Sequence, residues 1–168
     1  MVDSIRYKTY SNVVNTLKCL GDSHLEIQTT TTGDIWDIDL EKTTMFPLYH
    51  INPMSVDIAQ GTKTFNFQLF VMDIVDGDGD IEQYVLSDTL QILSDIVAIL
   101  KHGEILNGYN QTTNEERYFV DNDFSCEPFT ERFDNSVTGW VMDVSIIVES
   151  VLDSCNIPID PSLASCVK

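Results

Sequence analysis

Two rhythms of apolar and polar positions run along this chain. From Ile5 through Tyr10, Val13, Val14, Leu17 and Leu20 the apolar residues recur every three or four positions, which predicts a helix over 4–20. Asp3 or Ser4 is placed to cap it, and Gly21 to end it in the left-handed conformation. The rhythm then shortens to two. Leu25-Glu-Ile-Gln reads as a strand, with Thr29 to Thr32 continuing it or opening a loop before Gly33. Asp34-Ile-Trp-Asp-Ile-Asp-Leu alternates imperfectly around Trp36, as a bulge or short hairpin does. Phe46 to Pro53 predicts a short strand bracketed by two prolines, with Pro47 acceptable only at an edge or a first position. Met54 to Gln60 predicts another strand, turning at Gly61.

The clearest strand is Thr62 to Val75. Phe65, Phe67, Leu69 and Val71 share one face; Thr64, Asn66, Gln68, Phe70 and Met72 share the other, which stays polar until Phe70. That pattern describes a strand covered on one side for most of its length. An acidic turn, Asp76-Gly-Asp-Gly-Asp, leads into the strongest helix, 81–102, with Asp80 at the cap and Gln83 at the capping-box position. Leu86, Leu90, Leu93, Val97 and Leu100 form one stripe, and Val85, Ile92, Ile96 and Ile99 form a second beside it. A face this wide is either buried deep in the domain or shared with a neighbouring subunit, which makes Ile92, Ile96 and Ile99 the candidate interface residues. Lys101 and His102 suit the negative end of the helix, and Gly103 ends it. A polar loop over 104–117 follows, then strands over roughly 118–133 and 138–151 with turn residues between them, and an extended tail over 155–168.

The order is helix, several strands, a long helix, then a strand pair. It predicts an α+β fold: an antiparallel or mixed sheet with two helices packed on one face, in one domain spanning 1–168. The chain has 168 residues, 43% of them hydrophobic, enough to bury a core without staples. No regular strand–helix alternation marks a nucleotide-binding fold, and no internal repeat is present.

Charge narrows the function. Twenty-seven Asp and Glu stand against nine Lys and Arg, a formal net charge of −18. Such a chain is repelled by nucleic-acid phosphates and by anionic membrane surfaces. No apolar run approaches the roughly 18–20 residues of a membrane span. Met1 to Tyr10 is polar and mixed in charge, so no secretory leader is expected. Cys19, Cys126, Cys155 and Cys166 lie far apart, without metal spacing, and are expected to be reduced, isolated thiols.

Chemistry-bearing motifs are few. Asp76, Asp78 and Asp80 are the candidate cation ligands. An EF-hand loop counted from Asp76 needs Gly at position six and Glu at position twelve, where this chain has Ile81 and Ser87. A solvated turn and helix cap is the expectation, with no metal and no cofactor. His24, His50 and His102 are scattered, and no nucleophile elbow, zinc-protease motif or phosphate-binding loop occurs. No catalytic residue is assigned, and the chain is not expected to be an enzyme. The aromatics Trp36, Phe46, Tyr49, Phe65, Phe67, Phe124 and Trp140 are expected in the core.

Gly33-Asp-Ile-Trp-Asp-Ile-Asp, Phe46-Pro-Leu-Tyr with Ile51-Asn-Pro, Phe67-Gln-Leu-Phe-Val-Met-Asp, the helix from Leu86 to Ile96, and the closing Phe129-Thr-Glu-Arg-Phe and Gly139-Trp-Val-Met-Asp-Val strands carry a resemblance over about residues 10–158. In this pattern the chain resembles the neck-ring and tail-terminator proteins of tailed bacteriophages, including those of crAss-like gut phages. The resemblance implies a structural virion protein of the neck or tail, assembled in the host cytoplasm into a homo-oligomeric ring of six or twelve subunits. It implies other neck, portal or tail proteins as partners, DNA passing through without specific binding, and no membrane. It carries no catalytic residues. An acidic wall that repels phosphate suits such a conduit. The alternatives are an acidic DNA mimic, which needs carboxylates at phosphate-like spacing along one face, and another tail or head-completion protein. The Asp76–Asp80 turn or the 104–117 loop is expected to project from the ring, toward the lumen or the next ring.

Overall fold

The computed structural model of the chain describes residues 9–35, 44–75, 81–102, 119–120, 123–132 and 136–150. They form an α+β fold, with two helices on one face of a six-stranded mixed sheet. The elements are α1 (Tyr10–Ser23), β1 (Thr29–Thr32), β2 (Leu48–Ala59), β3 (Gly61–Ile74), α2 (Glu82–His102), β4 (Phe119–Val120), β5 (Cys126–Arg132) and β6 (Ser136–Ser150). The predicted Asp76–Asp80 turn with its Asp80 cap, the 104–117 loop and the 155–168 tail lie outside the described residues.

Thr9 is extended and accepts a hydrogen bond from the Asn12 amide, so Thr9 caps the helix that begins at Tyr10. The predicted caps, Asp3 and Ser4, lie outside the described residues. Val13, Leu17 and Leu20 are buried, as their spacing requires. Gly21 does not stop the helix, which runs on to Ser23. Its role is close approach: a Cβ there would overlap the Tyr49 ring and lie 2.6 Å from the Thr30 hydroxyl. The strand expected over 25–28 is a turn with Leu25 in solvent, and the threonines form the strand instead. The amides of Gln28 and Thr29 donate to the Pro47 carbonyl, which delivers the chain into β1.

β1 runs parallel to β2, Thr29 opposite Leu48 through Thr32 opposite Ile51. The two strands expected over 46–53 and 54–60 are one: β2 passes through Pro53 and shifts register between Pro53 and Ser55. Pro47 precedes the strand, after a cis peptide bond with Phe46. β2 and β3 form a long hairpin closed by Gln60 and Gly61, where a φ of +90° suits glycine. β3 pairs antiparallel with β6 from Gly61 opposite Ser150 to Ile74 opposite Val137. β5 and the two-residue β4 occupy successive stretches of the other side of β6, so the strand expected over 118–133 is broken. Asp123, Phe124 and Ser125 belong to no strand.

The helix-facing side of the sheet carries the main core. Val13, Leu17 and Leu20 of α1 and Ile92, Leu93, Ile96 and Leu100 of α2 pack on Tyr49, Ile51, Phe65, Phe67, Leu69, Met142, Val144, Ile146 and Val148. Each large side chain so buried contributes on the order of 2 kcal/mol. The Trp140 indole N–H donates to the Leu86 carbonyl at 2.8 Å and pins α2 to β6. At the start of α2 the Thr130 hydroxyl donates to the Glu82 carboxylate. The opposite face holds a smaller cluster, Leu48, Phe70, Met72 and Val137, joined by Phe46, Phe129 and Val141.

Gly21→Ala is expected to lower stability by about 2 kcal/mol through overpacking against Tyr49, despite alanine's higher helix propensity. Denaturant unfolding of the variant checks this; unchanged or raised stability would show that α1 can move away from β2.

Candidate assembly surface

β1 covers the outer edge of β2 only over 48–51. From Pro53 to Ala59 that edge has no strand partner among the described residues. Ile51 directs its carbonyl outward, toward the Gly33 amide. The alternation of an antiparallel pair, adjusted for the register shift, directs the backbone groups of Val56 and Ile58 outward too.

The side chains of this segment sort sharply by face. Val56 lies opposite Phe65, which lies opposite Ile146; Ile58 lies opposite Lys63, and Lys63 opposite Val148. Val56 and Ile58 therefore extend the helix-facing side of the sheet. Tyr10, at the start of α1, packs against Phe65 and Phe67 at 6.2 and 6.4 Å between ring centroids. Beyond it the apolar surface continues into solvent with Val56, 45% exposed, and Ile58, 64%, while Met54 lies on the reverse face, where its sulfur accepts from the Asn52 amide at 3.4 Å. Covering Val56 and Ile58 would contribute on the order of 1 kcal/mol each.

The reverse face is a polar ladder. The Asn66 amide donates to the Ser55 hydroxyl at 2.9 Å and to the Asp57 carboxylate at 2.8 Å, while its carbonyl oxygen accepts from the Ser145 hydroxyl at 2.7 Å. Asn52 donates to Gln68 at 3.3 Å in the next rung. A dent of about 60 Å³ beside it, lined by Gln68, Ser125, Glu127, Val141 and Asp143, is far smaller than the roughly 300 Å³ of a small-molecule site.

The candidate interface residues of α2 do not lie on this surface. Ile92 and Ile96 are buried in the chain's own core, and Ile99 is half-buried against it, so the wide helix face is used inside the subunit. Asp76, Asp78 and Asp80 lie outside the described residues. Among the described residues no group of three or more His, Cys, Asp or Glu could hold a metal ion. No described helix is long and apolar enough to cross a membrane. Cys19 and Cys126 are free thiols, and burial pushes the Cys126 thiol up.

His24 and His50 have structural settings. His24 accepts from the Glu26 amide at one ring nitrogen and meets Asp95 of α2 at 3.4 Å with the other. His50 is buried between the Thr31 hydroxyl, 2.8 Å from Nδ1, and the Gly33 carbonyl, 3.1 Å from Nε2. The carbonyl can only accept, so Nε2 carries the proton and neutral Nδ1 accepts from Thr31. Desolvation lowers its pKa, partly opposed by the Gly33 carbonyl and the Asp34 charge. Beside it, Tyr49 is fully buried, and burial moves its phenol far above the usual range. Its hydroxyl has no hydrogen-bond partner among the described residues.

Exposed carboxylates stand on α1 (Asp22), β2 (Asp57), α2 (Asp88), β5 (Glu127) and β6 (Asp143, Glu149), on both sides of the molecule. Neither protein-family models nor curated proteins match the chain.

Two outcomes are expected here. Because folded His50 binds its proton less readily than the unfolded chain, stability should fall as pH drops below 6.5, by up to about 1.4 kcal/mol per pH unit. Asp73, raised by burial, acts in the opposite sense, losing stability as pH rises above 3.8. Unfolding across a pH series should show the His50 slope flattened in His50→Gln. Tyr49→Phe should leave the fold intact and raise stability by about 1 kcal/mol, because it removes an unsatisfied buried hydroxyl; a loss in thermal unfolding would reveal a bound partner for that oxygen.

Proposed function

We propose that the chain is a structural virion protein, a ring subunit of the neck or tail of a tailed bacteriophage that surrounds the DNA conduit. The observation that carries this reading is the spread of exposed carboxylates over both sides of the molecule, on a chain of net charge −18. A conduit must let a polyanion pass without holding it, and a wall of like charge does so. A DNA mimic needs its carboxylates gathered on one face; here they are divided between the helix layer and the opposite face of the sheet. The exposed apolar end of β2 gives such a subunit a surface for protein contact.

Native mass spectrometry of the purified chain, alone and mixed with portal or tail particles, tests the reading. The expected result is a closed ring of six or twelve subunits, alone or on the particle, with no retention of duplex DNA at low salt. A monomer that ignores both particles and displaces DNA from a DNA-binding protein would overturn it in favour of the mimic. Calcium or chelator should leave the ring unchanged.

A further inference from the structure

The two helices rest on different strands, α1 on β1 and β2, α2 on β3 and β6. A polar contact bridges them. His24, directly after α1, reaches Asp95 in the middle of α2, with Nε2 3.4 Å from one carboxylate oxygen. The His24 side chain is largely buried and that of Asp95 half exposed. Gln91, one turn earlier on α2, donates to the other carboxylate oxygen at 3.0 Å and holds the group in place. The second ring nitrogen of His24 is engaged as well. Nδ1 accepts from the Glu26 amide at 3.3 Å, and the His24 carbonyl accepts from the Ile27 amide at 3.2 Å. The ring closes this turn as an Asp or Asn side chain closes an Asx turn. Leu25, inside the turn, stands in solvent.

These partners place the proton. An amide N–H only donates, so Nδ1 is bare and the neutral ring carries its proton on Nε2, which donates to Asp95. A second proton has only Nδ1 to occupy, where it would face the N–H of Glu26. The charged surroundings favour that second proton. Asp95 faces the ring from α2, and the residues of α2 within a turn of it carry no other charge. Asp22 and Glu26 flank His24 along the chain, β1 brings only threonines, and the carbonyl end of α1 adds its negative pole. A charge-assisted contact outweighs a neutral one, so the charged ring keeps Asp95 and lets Glu26 go. We infer that His24 is an acid-sensitive joint: on protonation it exchanges its bond to the Glu26 amide for a charged contact with Asp95, tightening the tie between α1 and α2 while releasing the turn that carries Leu25. The joint works within a single copy and does not depend on ring assembly.

Nuclear magnetic resonance of the isotope-labelled chain from about pH 8 to about pH 5, across the imidazole range, tests this. The nitrogen shifts of neutral His24 should show Nε2 protonated and Nδ1 bare. On acidification the Glu26 amide proton should move upfield along the His24 titration, and the Asp95 carboxyl carbon should respond at the same midpoint. Protection of the Glu26 amide against exchange should fall about fivefold, the loss of one neutral hydrogen bond. His50 is told apart by its own ring signals. His24→Asn is the control: its side-chain oxygen holds the Glu26 N–H as in an Asx turn and gains no proton, so the Glu26 amide should stay unchanged across the range. The wild-type measurements stand without it if that variant does not fold. A proton on Nδ1 of the neutral ring overturns the proposal, as does a Glu26 amide that ignores the His24 titration. An unmoved Asp95 carbon also overturns it, since the contact between the helices would then have gained no charge. A Glu26 response that persists in folded His24→Asn overturns it too, because another group would be driving the turn.

Discussion

The long antiparallel pairing of β3 with β6 is the constraint on which the rest of the molecule depends. Its register sets Phe65 against Ile146, Phe67 against Val144 and Leu69 against Met142, and these pairs are the floor on which both helices rest. A slip of one residue would send every one of them to the opposite face and bring Asn66, Gln68, Asp143 and Ser145 beneath the helices. The hairpin to β2 and the broken outer strand of β4 and β5 are laid on either side of this pair. α2 is held to it twice, by apolar burial and by the Trp140 indole on a helix carbonyl.

This central pair and α2 were legible in the sequence because their patterns are local and long. Strict alternation over Thr62 to Val75 and a double stripe over 85–100 leave little choice of element. The misreadings occur where a tertiary contact overrides local preference. Gly21 reads as a stop, but the helix needs it where the Tyr49 ring leaves no room for a Cβ. Leu25-Glu-Ile-Gln alternates as a strand does, yet the parallel partner of β2 is four threonines whose only local signal is β-branching. Pro53 divides one strand into two on paper because a proline in a strand is read as a boundary; on an unpaired edge its missing N–H has nothing to bond.

The assembly surface was less legible than the fold. An apolar alternation looks the same whether it faces its own core or another molecule, so Val56 and Ile58 carry no mark of their exposure in the sequence, and the width of α2 is the stronger signal. Ile92 and Ile96 turn inward because α2 lies on β3 and β6, where residues of both stripes, Leu93 and Leu100 of one and Ile92 and Ile96 of the other, are buried. Charge composition was informative from the start, but its distribution needed the fold. Only the alternation of sheet faces shows that Asp57 and Asp143 lie on one side of the molecule while Asp88 lies on the other.

The register shift after Pro53 reverses which residues of β2 face the helices. Before it the odd positions, Tyr49 and Ile51, point toward α1; after it the even ones, Val56 and Ile58, take that side. Met54 is the supernumerary residue: it has no partner on β3, while Pro53 before it and Ser55 after it lie opposite the consecutive Phe67 and Asn66. In evolutionary terms the bulge is the place where this arm can lose a residue. Loss of Met54 would restore plain alternation and leave Val56 and Ile58 on the helix-facing side. A lineage carrying this hairpin can therefore shed the bulge without turning its arm over.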